Sequence, residues 1–242
     1  MRGRARAVRS LATLMALGLG VVILSWGPLR DQAVPIPADR AFPIILPSPG
    51  TPLRLTVFGT SLTAGSRWPE DVAQGLEACF ARPIVLNRIA QPGATSLWAQ
   101  DHVSDVLESA PDIVVMEFAI NDADLRDGVS LADSIAAHQA IILALKAARP
   151  DLRIVLMTMS PAQGLRGIMR PRLAAYYAAY RALADMTDTG LVDLYPRWLT
   201  RPRATRGLAD GLHPEDAVAR TVIVPVLQAY LGRSAGMNCN TP

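Results

Sequence analysis

From Leu53 onward, short apolar runs alternate with longer segments whose apolar positions recur every three or four residues. The runs Leu53–Gly59, Ile84–Ala90, Ile113–Ala119, Arg153–Ser160 and Leu191–Tyr195 are rich in Val, Ile and Leu and nearly free of polar interruptions. Strands covered on both faces read this way, because neither face has to meet water. Between them the helical period appears over Pro69–Phe80, Ser96–Ser109, Ser130–Arg149, Arg170–Asp188 and Glu215–Leu231. Pro111 and the Pro150-Asp151 pair sit where helices return to strands, since proline has no N–H with which to continue a helix. Five such strand–helix units predict a three-layer α/β/α domain around a five-stranded parallel sheet, each crossover right-handed. No internal repeat or low-complexity segment interrupts the pattern.

In sheets of this kind ligands bind beyond the carboxyl ends of the strands, so the residues that follow each run are the ones to inspect. Gly59-Thr60-Ser61-Leu62 follows the first and Gln91-Pro92-Gly93-Ala94-Thr95 the second. Ala119-Ile120-Asn121-Asp122 follows the third, and Ala209-Asp210-Gly211-Leu212-His213-Pro214 precedes the last helix. A serine, a glycine, an asparagine and an Asp-x-x-His thus reach one edge from four separate loops.

In this order the four blocks resemble those of the SGNH, or GDSL, hydrolases, over roughly Leu53 to Leu231. The resemblance implies a flavodoxin-like fold and serine esterase chemistry without a cofactor. Two positions depart from the family pattern. Thr60 replaces the aspartate of Gly-Asp-Ser-Leu, outside the nucleophile and base roles. Ala119 replaces the glycine of Gly-x-Asn-Asp, adding a methyl that is expected to narrow the pocket.

The chemistry has physical requirements that these residues meet. A serine hydroxyl is a weak nucleophile until a base within hydrogen-bond reach takes its proton. His213 is the histidine placed to serve Ser61, and Asp210 is the candidate to fix its tautomer and steady the imidazolium. The developing oxyanion needs preorganised donors. The resemblance assigns these to the backbone N–H of Ser61, that of Gly93 and the side-chain amide of Asn121. Each residue also has a purely structural reading: Ser61 as a turn cap, Gly93 as a turn glycine after Pro92, Asn121 as an Asx turn, Asp210 and His213 as a helix start. Gly59 to Ser66 lacks the lysine of a phosphate loop, and Gly-Thr-Ser-Leu-Thr is not the Gly-x-Ser-x-Gly elbow.

Other side chains are weighed against ordinary packing. His102 and His138 lie inside helix patterns with no second ligand at metal spacing, so packed or solvated histidines, and no metal, are expected. Tyr176, Tyr177 and Tyr180 on one helix fit core or interface better than a substrate groove. Asp122 and Asp124 either orient the Asn121 loop or form a solvated turn.

The chain has 242 residues, half of them hydrophobic and 19% charged, enough for one core-bearing domain. Lys146 is its single lysine. Arg2, Arg4, Arg6 and Arg9 crowd the N-terminus; setting them aside from the 24 basic residues leaves 20 against 21 acidic ones. The domain is therefore near neutrality, and no nucleic-acid partner is expected. After those arginines an apolar run extends from Leu11 to Trp26, the layout of an export signal. Cleavage after Gly27 and retention as a membrane anchor are both open readings. The expected organisation is a signal peptide or anchor over 1–27, a proline-rich linker over 28–52, the catalytic domain over 53–232 and a tail over 233–242. The destination is periplasmic, secreted or on the outer face of a membrane.

Cys79 ends the first helix and Cys239 lies in the tail. In flavodoxin-like order the first and last helices share a face of the sheet, so in an oxidising compartment the two could pair; the other reading is a buried free Cys79 and an unstructured tail. The functional expectation is an exported serine ester hydrolase acting on a small-molecule or glycan ester through an acyl-serine. The alternatives are O-acyl transfer or deacetylation on polysaccharide, and a non-catalytic ligand-binding domain.

Overall fold

The five apolar runs are strands because they can be buried from both sides. In the computed structural model, which describes residues 34–239, they form one parallel sheet in the order β2-β1-β3-β4-β5. The strands are β1 (Leu53–Gly59), β2 (Ile84–Ala90), β3 (Ile113–Glu117), β4 (Arg153–Thr158) and β5 (Gly190–Asp193). Every residue of β3 and β5 is buried, whereas edge strand β2 is half-buried throughout. The helices are α1 (Ser61–Ala64), α2 (Trp68–Phe80), α3 (Ser96–Asp101), α4 (Val103–Glu108), α5 (Ala119–Asp122), α6 (Leu131–Ala148), α7 (Gly164–Ile168), α8 (Leu173–Thr187), α9 (Leu194–Leu199) and α10 (Asp216–Ser234). Helix α10 packs against α2, while α6 packs against α3, α4 and α8, so helices cover both faces of the sheet. The expected α/β/α architecture is the one observed.

The differences from the sequence reading lie at element ends and have local causes. β3 stops at Glu117 because Phe118 (φ −134°, ψ −17°) turns the chain into α5, so Ala119 is helical rather than in a strand. β4 and β5 likewise end earlier, at Thr158 and Asp193; Leu194 and Tyr195 already belong to α9. The long helix expected over Ser96–Ser109 breaks at His102 into α3 and α4. The helix expected over Arg170–Asp188 begins at Leu173, after Pro171, and is preceded by the separate short helix α7.

The apolar N-terminal run lies outside the described residues. From Pro35 the chain joins one compact unit that contains the whole buried core. Part of the segment read as linker packs on that unit: Phe42 and Ile44 are buried, and Arg40 exchanges two backbone hydrogen bonds with Leu191 at 2.9 and 3.0 Å. The tail is also tied down. Cys79 and Cys239 form a disulfide with Cα atoms 5.4 Å apart, joining the end of α2 to the residues after α10.

Candidate active site

The order of the sheet reverses beside β1: the chain passes from β1 to β2 on one side, then returns to β3 on the other. The loops after β1 and β3 diverge there and leave a crevice at the carboxyl edge. Ser61 opens α1 directly after β1. Its turn is capped by Thr60, whose Oγ1 accepts the Leu62 N–H at 3.2 Å.

Ser61 Oγ lies 2.8 Å from His213 Nε2, and His213 Nδ1 lies 2.7 Å from Asp210 Oδ2. A carboxylate can only accept, so Nδ1 carries the proton and the Nε2 lone pair faces the serine. The other oxygen of Asp210 accepts the backbone N–H groups of Leu212 (2.9 Å) and His213 (2.8 Å). Burial opposes its charge, but the hydrogen bonds from His213 and Leu212 prevail and hold the carboxyl at about 2. Asp210 is therefore ionised across the working range of any neutral-pH reaction.

Two further loops, after β2 and β3, reach the same edge of the sheet. Gly93 has φ +80°, a conformation glycine adopts without penalty, and a Cβ there would meet open space. Its glycine is thus required by the backbone and not by crowding. Asn121 donates one amide hydrogen to Ala94 O at 2.9 Å, which leaves a second for another acceptor. Asp122 ties the same two loops together, accepting the Ser96 N–H at 2.7 Å and the Ser134 hydroxyl at 2.6 Å. Among the described residues neither the Ser61 N–H nor the Gly93 N–H donates to a protein acceptor. A cleft of about 360 Å³ opens beside Ser61 and His213, walled by Leu62, Met159, Ala219 and Ile223.

Ser61, Asp210 and His213 are thus brought together, and the Gly93 and Asn121 loops are joined beside them. Ala119 is buried and is not among the residues that wall the cleft beside Ser61 and His213. Asp122 and Asp124 are buried and bonded, not a solvated turn. Tyr176, Tyr177 and Tyr180 are buried as the core reading had it, and His138 is packed.

Two supporting devices escaped the sequence reading. Glu117, at the end of β3 in register with Gly59, accepts the Thr60 N–H at 2.7 Å and the Thr60 and Thr63 hydroxyls at 3.0 and 2.8 Å. Complete burial pushes its carboxyl up to about 7 even though those hydrogen bonds pull it down. An added Cβ on Gly59 would overlap this carboxyl, so the glycine before Thr60 makes room for it. The available signal was a carboxylate at the end of an otherwise apolar strand.

The second device lies under α5. Tyr180 Oη accepts the N–H groups of Phe118 (3.0 Å) and Ala119 (3.1 Å) and donates to His138 Nε2 (2.8 Å). His138 Nδ1 in turn donates to Ser134 O at 2.7 Å. Burial, only partly opposed by Asp122 and the Ser134 carbonyl, lowers the His138 pKa and keeps the ring neutral, as this chain of donors requires. Tyr180 thus holds the first turn of the helix that carries Asn121.

A hydroxyl, an imidazole and a carboxylate in series at the ligand edge of an α/β/α sheet define a hydrolase-type site of the serine class. Over residues 57–220 the sequence matches the model of the GDSL-like lipase/acylhydrolase family, and the chain belongs to that family of ester-bond hydrolases. Solved structures share the fold at low identity. A lipase/acylhydrolase from Enterococcus faecalis superposes with a TM-score of 0.65 at 21% identity, over 74% of this chain and 95% of that one. Axe2, an acetylxylan esterase from Geobacillus stearothermophilus, gives 0.64 at 21% over 79% and 98%. TesA gives 0.60 at 22% over 75% and 99%. No curated protein matches the chain by sequence.

Proposed function

We propose that the protein is an exported serine esterase that cleaves carboxylic esters of small acyl groups through an acyl-serine. The observation that carries this reading is the 2.8 and 2.7 Å relay from Ser61 through His213 to Asp210, with Ser61 and His213 both lining the cleft. Ser61 Oγ attacks the ester carbonyl carbon while His213 Nε2 takes its proton. The tetrahedral oxyanion is held by the N–H groups of Ser61 and Gly93 and the remaining amide hydrogen of Asn121. The intermediate collapses as the C–O bond to the alcohol breaks, and His213 returns the proton to the leaving oxygen. Water then attacks the acyl-serine with His213 again as base, releasing the acid and restoring Ser61.

Asp210 keeps the imidazole in the required tautomer and compensates its charge in both halves of the cycle. The apolar wall of Leu62, Met159 and Ile223 suits an acyl chain. The fold likeness to an acetylxylan esterase supports acetylated sugars as one such class. Export is supported by the basic-apolar N-terminal stretch and by the Cys79–Cys239 disulfide, a bond that oxidising compartments preserve.

Fluorophosphonate labelling with peptide mass mapping tests the reading. An adduct on Ser61 that is lost in Ser61→Ala, with p-nitrophenyl acetate and butyrate cleaved faster than laurate, is the expected result. Folded protein that takes no label overturns it.

A further inference from the structure

Helix α7 has no buried residue, although two of its five residues are large and apolar. Leu165 is 73% exposed and Ile168, one turn on, 70%. Leu125, 63% exposed, joins them, because its N–H donates to Met169 O at 2.9 Å just past the end of α7. Both segments follow strands at the carboxyl edge of the sheet, the edge of the catalytic cleft. The Gln163 N–H fixes α7 to the histidine loop through Gly211 O at 2.7 Å.

The same rim is basic. Arg203 donates to Gln163 Oε1 at 3.1 Å, which sets two acid-free, arginine-bearing stretches, 161–172 and 197–206, side by side. Arg126 and Arg170 share the single buried carboxylate of Asp124. Among the described residues Arg166, Arg172 and Arg203 pair with no carboxylate. The near-neutral domain therefore carries a local positive excess where its apolar side chains protrude.

We propose that this rim docks the protein on an anionic bilayer surface, with Leu165, Ile168 and Leu125 entering the interface and Arg166, Arg172 and Arg203 meeting the headgroups. Short apolar insertions flanked by arginines bind membranes through the sum of buried apolar area and attraction to anionic lipid. Arginine stems add to this, because they lie along apolar surface while the guanidinium stays in water. A second copy of the chain fits poorly: a two-fold contact would set the unpaired arginines against themselves. A further apolar side chain belongs to the same edge. Ala38 donates its N–H to Asp193 Oδ2 at 3.0 Å, which holds residues 35–38 near the carboxyl end of β5. Exposed Ile36 lies on that segment. Docking would bring Ser61 to esters presented at a membrane surface.

The test is flotation of residues 35–242, the compact unit, with vesicles of equal parts phosphatidylglycerol and phosphatidylcholine. The expected result is binding that disappears on pure phosphatidylcholine and weakens with salt. Arg172→Gln with Arg203→Gln is expected to weaken partitioning by about fivefold per arginine. Leu165→Ser with Ile168→Ser is expected to abolish it, with melting temperature and p-nitrophenyl acetate hydrolysis unchanged in both pairs. Equal binding to uncharged vesicles, no binding, or indifference to both pairs overturns the proposal. So does a dimer in sedimentation that the Leu165→Ser, Ile168→Ser pair dissociates. Ser61→Ala protein should float like wild type, which separates failure of docking from failure of the esterase reading.

Discussion

The Tyr180 hydroxyl lies 2.8 Å from His138 Nε2 and spends its accepting capacity on the N–H groups of Phe118 and Ala119. One phenol therefore links a buried neutral imidazole to the helix that presents Asn121. Tyr180→Phe leaves two backbone donors and one ring nitrogen buried without partners, each worth about 1–3 kcal/mol. A lower melting temperature is expected, with a fall in kcat and little change in KM. Equal kcat in a destabilised variant would assign Tyr180 to stability alone.

Asn121→Ala removes a donor while sparing the nucleophile and base. The expected loss in kcat is about 10²–10³-fold, with Ser61 still labelled by fluorophosphonate. Gly59→Ala should act differently: the added methyl displaces Glu117 and with it the Thr60 turn, so labelling itself should fail.

Asp210→Asn keeps the shape of the side chain and favours the wrong imidazole tautomer, with an expected loss of roughly 10⁴-fold in kcat. Because the native carboxyl sits at about 2, any stability it lends is present above the unfolded-state value near 4 and is lost as pH falls from there toward 2. Thermal melts of wild type and Asp210→Asn should converge in that window.

Glu117 has the opposite sign. Its folded value of about 7 stands above the 4.5 of a free carboxyl, so its contribution favours the fold below 4.5 and is withdrawn as pH rises to 7. The difference amounts to roughly 3 kcal/mol by the linkage relation. Glu117→Gln, whose amide oxygen can still accept from Thr60 N and Thr63, should flatten the decline in melting temperature between pH 5 and 8.

The disulfide closes a loop spanning 160 residues, worth about 5 kcal/mol in the chain-entropy model. Cys79→Ser with Cys239→Ser should lower the urea midpoint, and reductant should shift wild type to the same place.

Much of this molecule is legible in its sequence because the constraints involved are local. A strand buried on both faces must be apolar throughout, and this exposes β1, β3 and β4. A site at strand ends must place its polar residues in the following loops, and this exposes Ser61, Gly93, Asn121 and His213. What stays hidden depends on partners far along the chain. Glu117 meets Thr60 across 57 positions and Tyr180 meets His138 across 42, and no periodicity in either segment reports the other. The proline-rich stretch around Arg40 reads as a free linker for the same reason: its order comes from Leu191, not from its own pattern.

That stretch also bears on association. A parallel sheet has two outer strands whose unpaired backbone groups invite other chains. On the β5 side Arg40 already occupies Leu191, and Ala38 and Asp39 bond to the side chain and N–H of Asp193, so the chain caps that margin itself. On the β2 side the deterrent is chemical: Asn87 and Arg88 interrupt the strand, and Arg88 is held by Glu70 and Ala64 O. A truncation that removed residues 35–44 would therefore uncover a fresh strand margin, and the loss to expect is solubility before activity.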